Sequence, residues 1–481
     1  MTLSQLRQQH PRLVYQEATW KCTSAGLQLD FTFLLEPDLV FTPTLVLPDV
    51  TEAHIEALDA RVLDTLVFQV GMAELFSYWK TACPPEIVIA AGDLTADQVD
   101  FWQNLLIQGM GEFFFTNEID FTAAEFVKWV TVSPKNTLPQ TINEPIFGSE
   151  LPRSIFIPLG GGKDSIVTLK LLQQLQDSLG LSQLQLATLN LNPTLAAKEV
   201  AQSSLLPNVT LHRHIDPLLL ELNQQGYLNG HTPFSALMAF ISVLAAWVYG
   251  YEAIAVSNEQ SSNEGNVIFH GHEINHQYSK SYDFETKFQR YISHISPQLP
   301  YYFSFVRPLY ELEIAGLFAA VTQETPELQL TFRSCNRGSK ANLWCGECSK
   351  CLFAALILTP SLGSARVTEM FGQDILDNES LLPIALELLG KAKQKPLDCV
   401  GTHEESVVAT WLCLQKYRSE NKDLPALLRL LDDSVLKQEA QLPQRAIAIL
   451  EFWSDQHSLP DTLTKYLRHQ LESTKSLYQY I

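Results

Sequence analysis

The stretch SIFIPLGGGKDS, residues 154–165, joins an apolar run typical of a β-strand to three glycines and then to a helical pattern. Glycines allow backbone N–H groups to approach a ligand without interference from Cβ atoms. The helix N-terminus behind them adds N–H donors without partners and a partial positive charge. A strand, a glycine turn and a helix in this order indicate an anion site, best suited to phosphate. A plain strand-to-helix turn capped by Asp164 or Ser165 is the simpler alternative.

The segments that follow alternate between strand and helix patterns. Strands are predicted over residues 154–159, 184–190, 208–214 and 253–257, and helices over residues 164–179 and 234–249. This alternation predicts an α/β fold with a doubly wound parallel sheet, in which ligands bind at the carboxyl ends of the strands. The loops after Leu159, Leu189 and Val256 are therefore expected to lie at one edge of the sheet.

The length of 481 residues predicts two or three domains. Residues 1–150 are predicted to form an N-terminal α+β domain that begins with hairpin-like strands. Residues 133–152 contain four prolines and are interpreted as a linker. The α/β domain is predicted over residues 151–360, and residues 361–481 form a largely helical C-terminal region.

Composition and charge limit the classes of partner. Hydrophobic residues make up 46% of the chain and charged residues 18%, which is typical of a globular protein with a substantial core. The net charge of −20 disfavours nucleic acid, because binding phosphates requires a basic surface. The sequence shows no secretion signal and no apolar run of membrane-spanning length, so we expect a cytoplasmic protein that contacts no membrane. No feature of the sequence specifies an oligomeric state.

The predicted loop after Val256 is the most informative polar segment. Residues 257–281 contain three histidines and three glutamates, together with a tyrosine and a lysine. A flexible surface loop is the alternative, yet such loops seldom carry so many reactive side chains. At the carboxyl end of a strand these groups are expected to contact substrate or Mg²⁺.

Four of the eight cysteines crowd into one segment. Cys335, Cys345, Cys348 and Cys351 have the spacing C-x9-C-x2-C-x2-C. Two C-x2-C turns bring thiolates within tetrahedral reach of one ion, so we predict a structural zinc site. Iron–sulfur ligation is the second interpretation, and a group of buried free thiols is the simplest one.

The glycine loop resembles a known nucleotide-binding motif. It matches neither a Walker A loop nor the dinucleotide fingerprint. It does resemble the PP-loop, Ser-Gly-Gly-x-Asp-Ser, of the N-type ATP pyrophosphatases, whose fold is adenine nucleotide alpha-hydrolase-like. The only departure is a glycine in place of the first serine. The resemblance implies ATP cleavage to AMP and pyrophosphate. It also implies nucleotide contacts from Gly160, Gly161, Gly162, Lys163, Asp164, Ser165, Thr188 and Asn190.

A set of motifs spread from about residue 63 to residue 405 resembles a narrower family. The motifs are YWK (78–80), GEFF (111–114), the glycine loop, NEG (263–265), NHQYSK (275–280), the four cysteines and CVGT (399–402). Together they resemble the ATP-dependent UDP-N-acetylmuramoyl-L-alanyl-L-glutamate epimerase family of peptidoglycan synthesis. The cysteine pattern alone also resembles the zinc site of 7-cyano-7-deazaguanine synthase, another PP-loop enzyme.

The epimerase resemblance implies a substrate, a reaction and a set of site residues. The substrate is a UDP-linked muramoyl dipeptide, whose glutamate α-carboxylate is adenylated with ATP and Mg²⁺ before Cα loses its proton. Lys163 and Asp164 are then expected to assist adenylation, and the candidates for the base are His231, His276 and Lys280. Expected substrate contacts are Tyr78, Lys80, Glu112, Asn258, Glu259, Asn263, Glu264, Asn275, Tyr278 and Ser279.

Two other functions are compatible with the same motifs. A nucleobase-forming or tRNA-modifying PP-loop enzyme would share the glycine loop and the cysteine cluster, although the acidic charge weighs against tRNA. A non-catalytic ATP-binding scaffold would share the loop without turnover.

Overall fold

The computed structural model describes residues 1–131 and 150–480. The predicted linker therefore lies outside the described residues, apart from residues 150–152. The strands are β1 Arg12–Thr23, β2 Gly26–Leu35, β3 Leu39–Phe41, β4 Thr44–Leu47, β5 Glu86–Ile89, β6 Lys128–Thr131, β7 Ser154–Pro158, β8 Gln185–Leu191, β9 Asn208–His214, β10 Ala253–Val256, β11 Val267–Phe269, β12 His272–Ile274 and β13 Tyr301–Ser304.

Helices occupy most of the remaining described residues. They are α1 Leu3–Gln9, α2 Glu52–Glu56, α3 Ala60–Trp79, α4 Ala96–Gly109, α5 Gly111–Thr116, α6 Lys163–Leu179, α7 Leu195–Ser204, α8 Pro217–Gln224, α9 Phe234–Tyr249, α10 Tyr282–Ile295, α11 Glu311–Val321, α12 Glu327–Thr331, α13 Ser349–Leu362, α14 Ser364–Phe371, α15 Leu382–Leu388, α16 His403–Ser419, α17 Ala426–Ser434, α18 Leu442–Leu450 and α19 Asp461–Thr474. Within residues 1–131 and 150–480, no helix combines the length and the apolar character needed to cross a membrane.

The chain divides into two compact units, each assembled from separate stretches of sequence. Unit 1 comprises the described parts of Met1–Ile146 with Val209–Ile254 and Ile268–Tyr302. Unit 2 comprises the described parts of Phe147–Asn208 with Ala255–Val267 and Phe303–Ile481. The predicted domain limits at residues 150 and 360 stay a prediction. The two compact units have other limits, because Val209–Ile254 and Ile268–Tyr302 belong to the same unit as the N-terminal residues.

Unit 1 is built on a mixed sheet. The hairpin of β1 and β2 is antiparallel, and β1 also pairs in parallel with β5, which in turn pairs in parallel with β6. On the other side, β2 pairs antiparallel with β4, and β4 pairs antiparallel with β9. Alternate residues of β2, from Leu27 to Leu35, are buried, as the period of a strand with one core face requires.

Helix α3 forms the core of unit 1 and is buried on nearly all sides. It packs against β1 and α9, and its apolar residues surround the helix instead of forming one stripe. Gly71 permits the close approach of β1, because a Cβ atom there would lie 1.8 Å from the Tyr15 hydroxyl oxygen. The uniformly apolar sequence of α3 is therefore explained by packing on both sides.

One ion pair is buried beside this core. The carboxylate of Glu74 on α3 accepts two hydrogen bonds from Arg213 of β9, including Nη2 to Oε2 at 2.7 Å, and its side chain is 2% exposed. Replacing Glu74 by glutamine removes the negative charge of this pair from a site where the carboxylate is buried, while Arg213 keeps its positive charge. We expect E74Q to lower the free energy of unfolding by about 3–5 kcal/mol, measured by urea denaturation.

A matched control for E74Q is available in the same unit. Arg61 pairs with Asp59 on the surface, where its side chain is 74% exposed. R61Q is expected to leave the free energy of unfolding nearly unchanged, because exposed ion pairs are weak. Equal unfolding midpoints for E74Q and R61Q would contradict the importance of the buried pair.

Unit 2 contains the glycine loop and most of the helices. Strand β7 pairs in parallel with β8, in register from Ser154 opposite Gln185 to Pro158 opposite Leu189. Helix α6 packs against α11, which contacts α13, and α13 contacts α16. The apolar residues of α13 and α11 are almost completely buried, so these two helices form the centre of the unit.

The structure confirms an α/β fold and corrects one part of the predicted sheet. The strands predicted near residues 154, 184, 208 and 253 are present, as are the helices that begin near residues 164 and 234. The sheet was predicted to be parallel throughout, but β9 pairs antiparallel with β4 in unit 1. The residue pattern of β9 predicts a strand, but it does not predict which strand pairs with it. That partner, β4, is distant in the sequence and is determined by tertiary packing.

Candidate active site

The glycine loop connects β7 to α6 in unit 2. Gly161 has a φ of +79°, and a Cβ atom there would lie 2.8 Å from the Ala197 backbone nitrogen, so this position requires glycine. A Cβ atom at Gly160 or Gly162 would meet nothing within 4 Å. Gly162 is the N-cap of α6 and makes no side-chain cap. The loop therefore has open space beside the N-terminus of a 17-residue helix, as an anion site needs.

Charged side chains gather at the start of α6. Lys163 is 7% exposed, and its Nζ atom contacts carboxylate oxygens of Asp164 and Glu311. One oxygen each of Asp164, Glu259 and Glu311 lies within 4.8 Å of the others. Carboxylate oxygens are the ligands that Mg²⁺ prefers, so these three side chains can hold such an ion. The predicted loop residue Glu259 is thus brought to the predicted phosphate site.

Thr188 and Asn190 lie at the end of β8, as predicted. The Leu159 N–H donates to the Leu189 carbonyl at 2.8 Å, so the ends of β7 and β8 are adjacent. Thr188 Oγ1 and Asn190 Nδ2 both donate to Asn208 Oδ1, at 2.8 and 2.6 Å. Thr188 and Asn190 are buried, at 0% and 1% exposed, and the exposed Asn208 joins their two side chains.

The NEG motif forms a contact within unit 2. Glu264 accepts a hydrogen bond from Lys395 Nζ at 3.0 Å and another from the His403 backbone N–H at 3.1 Å. His403 is the first residue of α16, where a negative charge is favourable. Asn263 bonds back to Gln260, and Asn258 donates to Ser304 Oγ at 3.2 Å. Glu264 therefore links the polar loop to the segment around residues 395–403.

Three candidate residues from separate segments converge in unit 1. Both His276 Nδ1 and His231 Nδ1 face the same Glu112 oxygen, Oε2; the His276 pair is in hydrogen-bond contact and the His231 pair is 3.3 Å apart. The two imidazole rings lie 4.6 Å apart between centroids. Each of the three side chains is 13–22% exposed, so the cluster is accessible but sheltered.

Two lysines stand around this cluster. Lys80 Nζ donates to Asn229 Oδ1 and to the Gly230 carbonyl, each at 2.9 Å, next to His231. Burial lowers the pKa of Lys80 to about 8, with a smaller effect from Arg213. Burial also lowers the pKa of His231 to about 4, and the charges of His276, Lys80 and Lys280 act in the same direction.

Other candidates in unit 1 are held by their neighbours. Tyr78 is fully buried and stacks on Phe33, and its oxygen accepts the Asp216 N–H at 3.3 Å. The Tyr278 hydroxyl lies within hydrogen-bond distance of two acceptors, Asn104 Oδ1 at 2.6 Å and Asp283 Oδ2 at 2.7 Å, for its single proton. Ser279 is 5% exposed, and Asn275 accepts the Gln277 N–H at 2.7 Å. The burial of Tyr78 favours a packing role for that residue.

The four clustered cysteines lie together in unit 2. Their Sγ atoms are all within 4.8 Å of one another, with separations of 3.9 Å from Cys335 to Cys348, 3.7 Å from Cys345 to Cys351 and 3.5 Å from Cys348 to Cys351. Hydrogen bonding by Cys351 lowers the pKa of the Cys348 thiol to about 5, which favours a thiolate. A tetrahedral zinc site with bonds of about 2.3 Å has sulfur separations of about 3.8 Å, so the donors fit one zinc ion.

The structure adds residues that the sequence analysis missed. Glu311 is the first residue of α11, and the sequence analysis assigned no role to it. Asn208 was assigned only to a strand, and Lys395 was given no role. No local pattern in the sequence marks Glu311 or Asn208 as a site residue, because their contacts are with residues distant in the sequence.

Comparisons with known proteins agree with the motif analysis. Residues 4–305 match the MurL N-terminal domain, and residues 331–444 match the MurL C-terminal domain. Three relatives carry the name UDP-N-acetyl-alpha-D-muramoyl-L-alanyl-L-glutamate epimerase. The protein of Micromonospora sp. is 32% identical over 82% of this chain and 83% of its own, and that of Salinispora tropica is 33% identical over 77% of each.

The third relative, from Xanthomonas oryzae pv. oryzae, is 31% identical over 74% of this chain and 76% of its own. No solved structure matches the chain. The two domain models together span most of the sequence, and the identity extends over both units. The chain therefore belongs to the MurL family of epimerases and is an isomerase.

Proposed function

We propose that this enzyme converts UDP-MurNAc-L-Ala-L-Glu to UDP-MurNAc-L-Ala-D-Glu in peptidoglycan precursor synthesis, and that it adenylates the glutamate α-carboxylate with ATP to do so. Membership of the epimerase family supports the epimerisation. The observation that carries the ATP step is the open glycine loop before α6, together with the charged side chains beside it.

Adenylation answers the main chemical difficulty of the reaction. The Cα proton of a glutamate is very weakly acidic beside an ionised carboxylate, because removal of the proton adds a second negative charge. When a carboxylate oxygen attacks the α-phosphorus of ATP, pyrophosphate leaves and an acyl adenylate forms. Its Cα proton is far more acidic, so a neutral side chain is able to remove it. After the proton returns to the other face, water releases the carboxylate and AMP.

The residues of unit 2 suit the adenylation half of this scheme. A PP-loop assignment is supported by the match of Gly161, Gly162, Asp164 and Ser165, and by the space beside Gly160. Backbone N–H groups and the N-terminus of α6 would bind the pyrophosphate. Asp164, Glu259 and Glu311 would hold Mg²⁺, which neutralises phosphate charge when it is bound. Lys163, already within reach of two of these carboxylates, would supply a further positive charge.

A structural zinc ion is proposed for the four cysteines. Their sulfurs all lie within 4.8 Å of one another, a spacing that supports a single ion in preference to a multi-iron cluster. The Gly338 N–H donates to Cys335 Sγ at 3.2 Å, and the Glu347 N–H to Cys345 Sγ at 3.5 Å, which is the support that metal-binding thiolates commonly receive.

The deciding experiment is incubation of UDP-MurNAc-L-Ala-L-Glu with enzyme, ATP and Mg²⁺ in deuterated water. We expect deuterium at the glutamate Cα, formation of the D-epimer, and release of AMP and pyrophosphate only when the substrate is present. Mass spectrometry detects the label, and chiral analysis of the released glutamate detects the epimer. The control omits ATP.

Each negative result has a distinct meaning. Epimer formation without ATP would contradict adenylation while leaving the epimerase activity intact. Pyrophosphate release without any deuterium would contradict the epimerisation of this substrate. ATP binding without turnover under all conditions would favour the scaffold alternative.

A further inference from the structure

A single carboxylate of unit 1, that of Glu112, contacts two imidazoles from distant parts of the chain. Glu112 lies on α5, His231 in the segment before α9, and His276 after β12. Both Nδ1 atoms face Glu112 Oε2, so the carboxylate favours the tautomer that carries its proton on Nδ1. In this tautomer the other ring nitrogen, Nε2, has a lone pair and is able to accept a proton.

His231 is the imidazole better prepared to act as a base. No hydrogen bond to its Nε2 is found among residues 1–131 and 150–480, and its side chain is 22% exposed. Lys80 and Lys280 act on it as positive charges, together with His276, while Glu112 is the nearby negative charge. Burial, the largest cause, and the positive charges together favour the neutral ring and lower the pKa of His231 to about 4. A neutral imidazole is the form that removes a proton.

We propose that His231 is the catalytic base that removes the glutamate Cα proton, with Glu112 as the positioning residue that fixes its tautomer. The proposal rests on the proposed function. In the forward step Nε2 takes the Cα proton, and the electron pair of the broken C–H bond moves into the acyl group of the adenylate. The resulting imidazolium, balanced by the Glu112 carboxylate, releases this proton to solvent, and a solvent proton adds to Cα from the opposite face, which inverts the centre and introduces deuterium in deuterated water. No oxidant or reductant is required.

The distance between the two rings also indicates the role of the second imidazole, His276. Two bases on opposite faces of a planar carbanion would each approach the carbon to about 3–3.5 Å, so their ring centres would be separated by more than about 6 Å. The centroids of His231 and His276 are 4.6 Å apart, and both rings are joined to one oxygen. His276 therefore holds Glu112 in place and is a positioning residue, and it does not act as an opposite-face base.

The test separates proton transfer from adenylation. In deuterated water with ATP, Mg²⁺ and UDP-MurNAc-L-Ala-L-Glu, H231Q is expected to lose at least about 100-fold of the deuterium incorporation. It should retain AMP release, because water still hydrolyses the adenylate. The matched control is H212Q, which changes an exposed histidine of β9 in the same unit and should behave like the wild type. H231N is a second variant if H231Q fails to fold.

Glu112 has a readout that a merely structural role would not change. E112Q is expected to lower kcat for deuterium incorporation more than it changes KM. It should also move the acid limb of the deuterium-to-AMP ratio to lower pH, because the Glu112 carboxylate raises the pKa of His231. In the wild type we expect the deuterium-to-AMP ratio to stay constant from about pH 7 down to about pH 5. A histidine with the ordinary pKa of about 6.5 would be protonated at about pH 5, and the ratio would then fall.

Four results would overturn the proposal. The first is normal deuterium incorporation by H231Q, and the second is loss of both AMP release and deuterium incorporation by a folded H231Q. The third is a deuterium-to-AMP ratio of E112Q with the same pH dependence as that of the wild type. The fourth is a transition metal that the wild type binds and H231Q does not. The second would indicate substrate binding, and the last a metal site. Failure of the wild type to release AMP would instead overturn the proposed function, so the two failures are distinguishable.

Discussion

D164N is expected to reduce AMP and pyrophosphate release by at least about 100-fold, and deuterium incorporation with it. Asp164 is the second residue of α6, contacts the Lys163 ammonium, and lies within 4.8 Å of Glu259 and Glu311 oxygens. Replacing it by asparagine removes one of three negative charges proposed to hold Mg²⁺ and leaves the shape of the site. The assay follows pyrophosphate release with UDP-MurNAc-L-Ala-L-Glu as substrate.

The control for D164N is D177N, which changes an exposed aspartate near the end of the same helix. D177N should retain wild-type rates. Because the Asp164 side chain is 26% exposed, D164N is expected to fold, and thermal unfolding checks this. Wild-type pyrophosphate release by a folded D164N would remove the glycine loop from the reaction.

The local parts of the fold were predictable from the sequence, whereas the pairing of strands was not. The apolar run before Gly160 and the helical pattern after Gly162 correspond to β7 and α6. Both signals are short-range: residue periodicity and the conformational freedom of glycine. The antiparallel pairing of β9 with β4 joins residues about 170 positions apart, such as Thr44 and His214, and no local pattern specifies it.

The candidate site shows the same division. Glu112, His231 and His276 were each singled out by motif or residue type, but as a substrate contact and two alternative bases. Only the fold reveals that they share one carboxylate oxygen. Glu311 was missed because its importance depends on contact with Lys163, 148 residues away. Sequence patterns thus identify reactive residue types, and tertiary contacts decide which of them act together.

The CVGT motif has two interpretations at the level of sequence: Gly401-Thr402 ahead of two glutamates is typical of a helix cap, and closure of the segment over a ligand is the alternative. Thr402 Oγ1 accepts the Glu405 N–H at 3.1 Å, and Glu405 Oε2 accepts the Thr402 N–H at 2.7 Å, so the predicted helix cap is confirmed. Glu264 binds the same helix end. Closure of this segment over a ligand stays a prediction, and the cap already accounts for the residues Thr402 and Glu405.

C348S is expected to lower the zinc content from one ion per chain to a small fraction, as measured by elemental analysis of the purified protein. Cys348 is the N-cap of α13, and its sulfur lies 3.9 Å from Cys335 Sγ and 3.5 Å from Cys351 Sγ. Structural zinc binding is worth about 10–16 kcal/mol in small zinc peptides, because the metal and the fold form together. We therefore expect C348S to lower the free energy of unfolding by at least as much as a severe core substitution, which costs about 2–5 kcal/mol.

The control for C348S is C22S, which changes a cysteine of β1 outside the cluster and should keep zinc and stability. A strong chelator should shift the thermal unfolding of the wild type and C22S to lower temperature, and leave C348S unaffected. An ion held by the four cysteines would connect α13, a helix at the centre of unit 2, to the segment around Cys335. Iron in place of zinc would favour the cluster alternative, whereas an equal metal content in C348S and C22S would contradict a metal site here. Loss of zinc from C348S with unchanged stability would mean that packing of α13 alone holds this part of the fold.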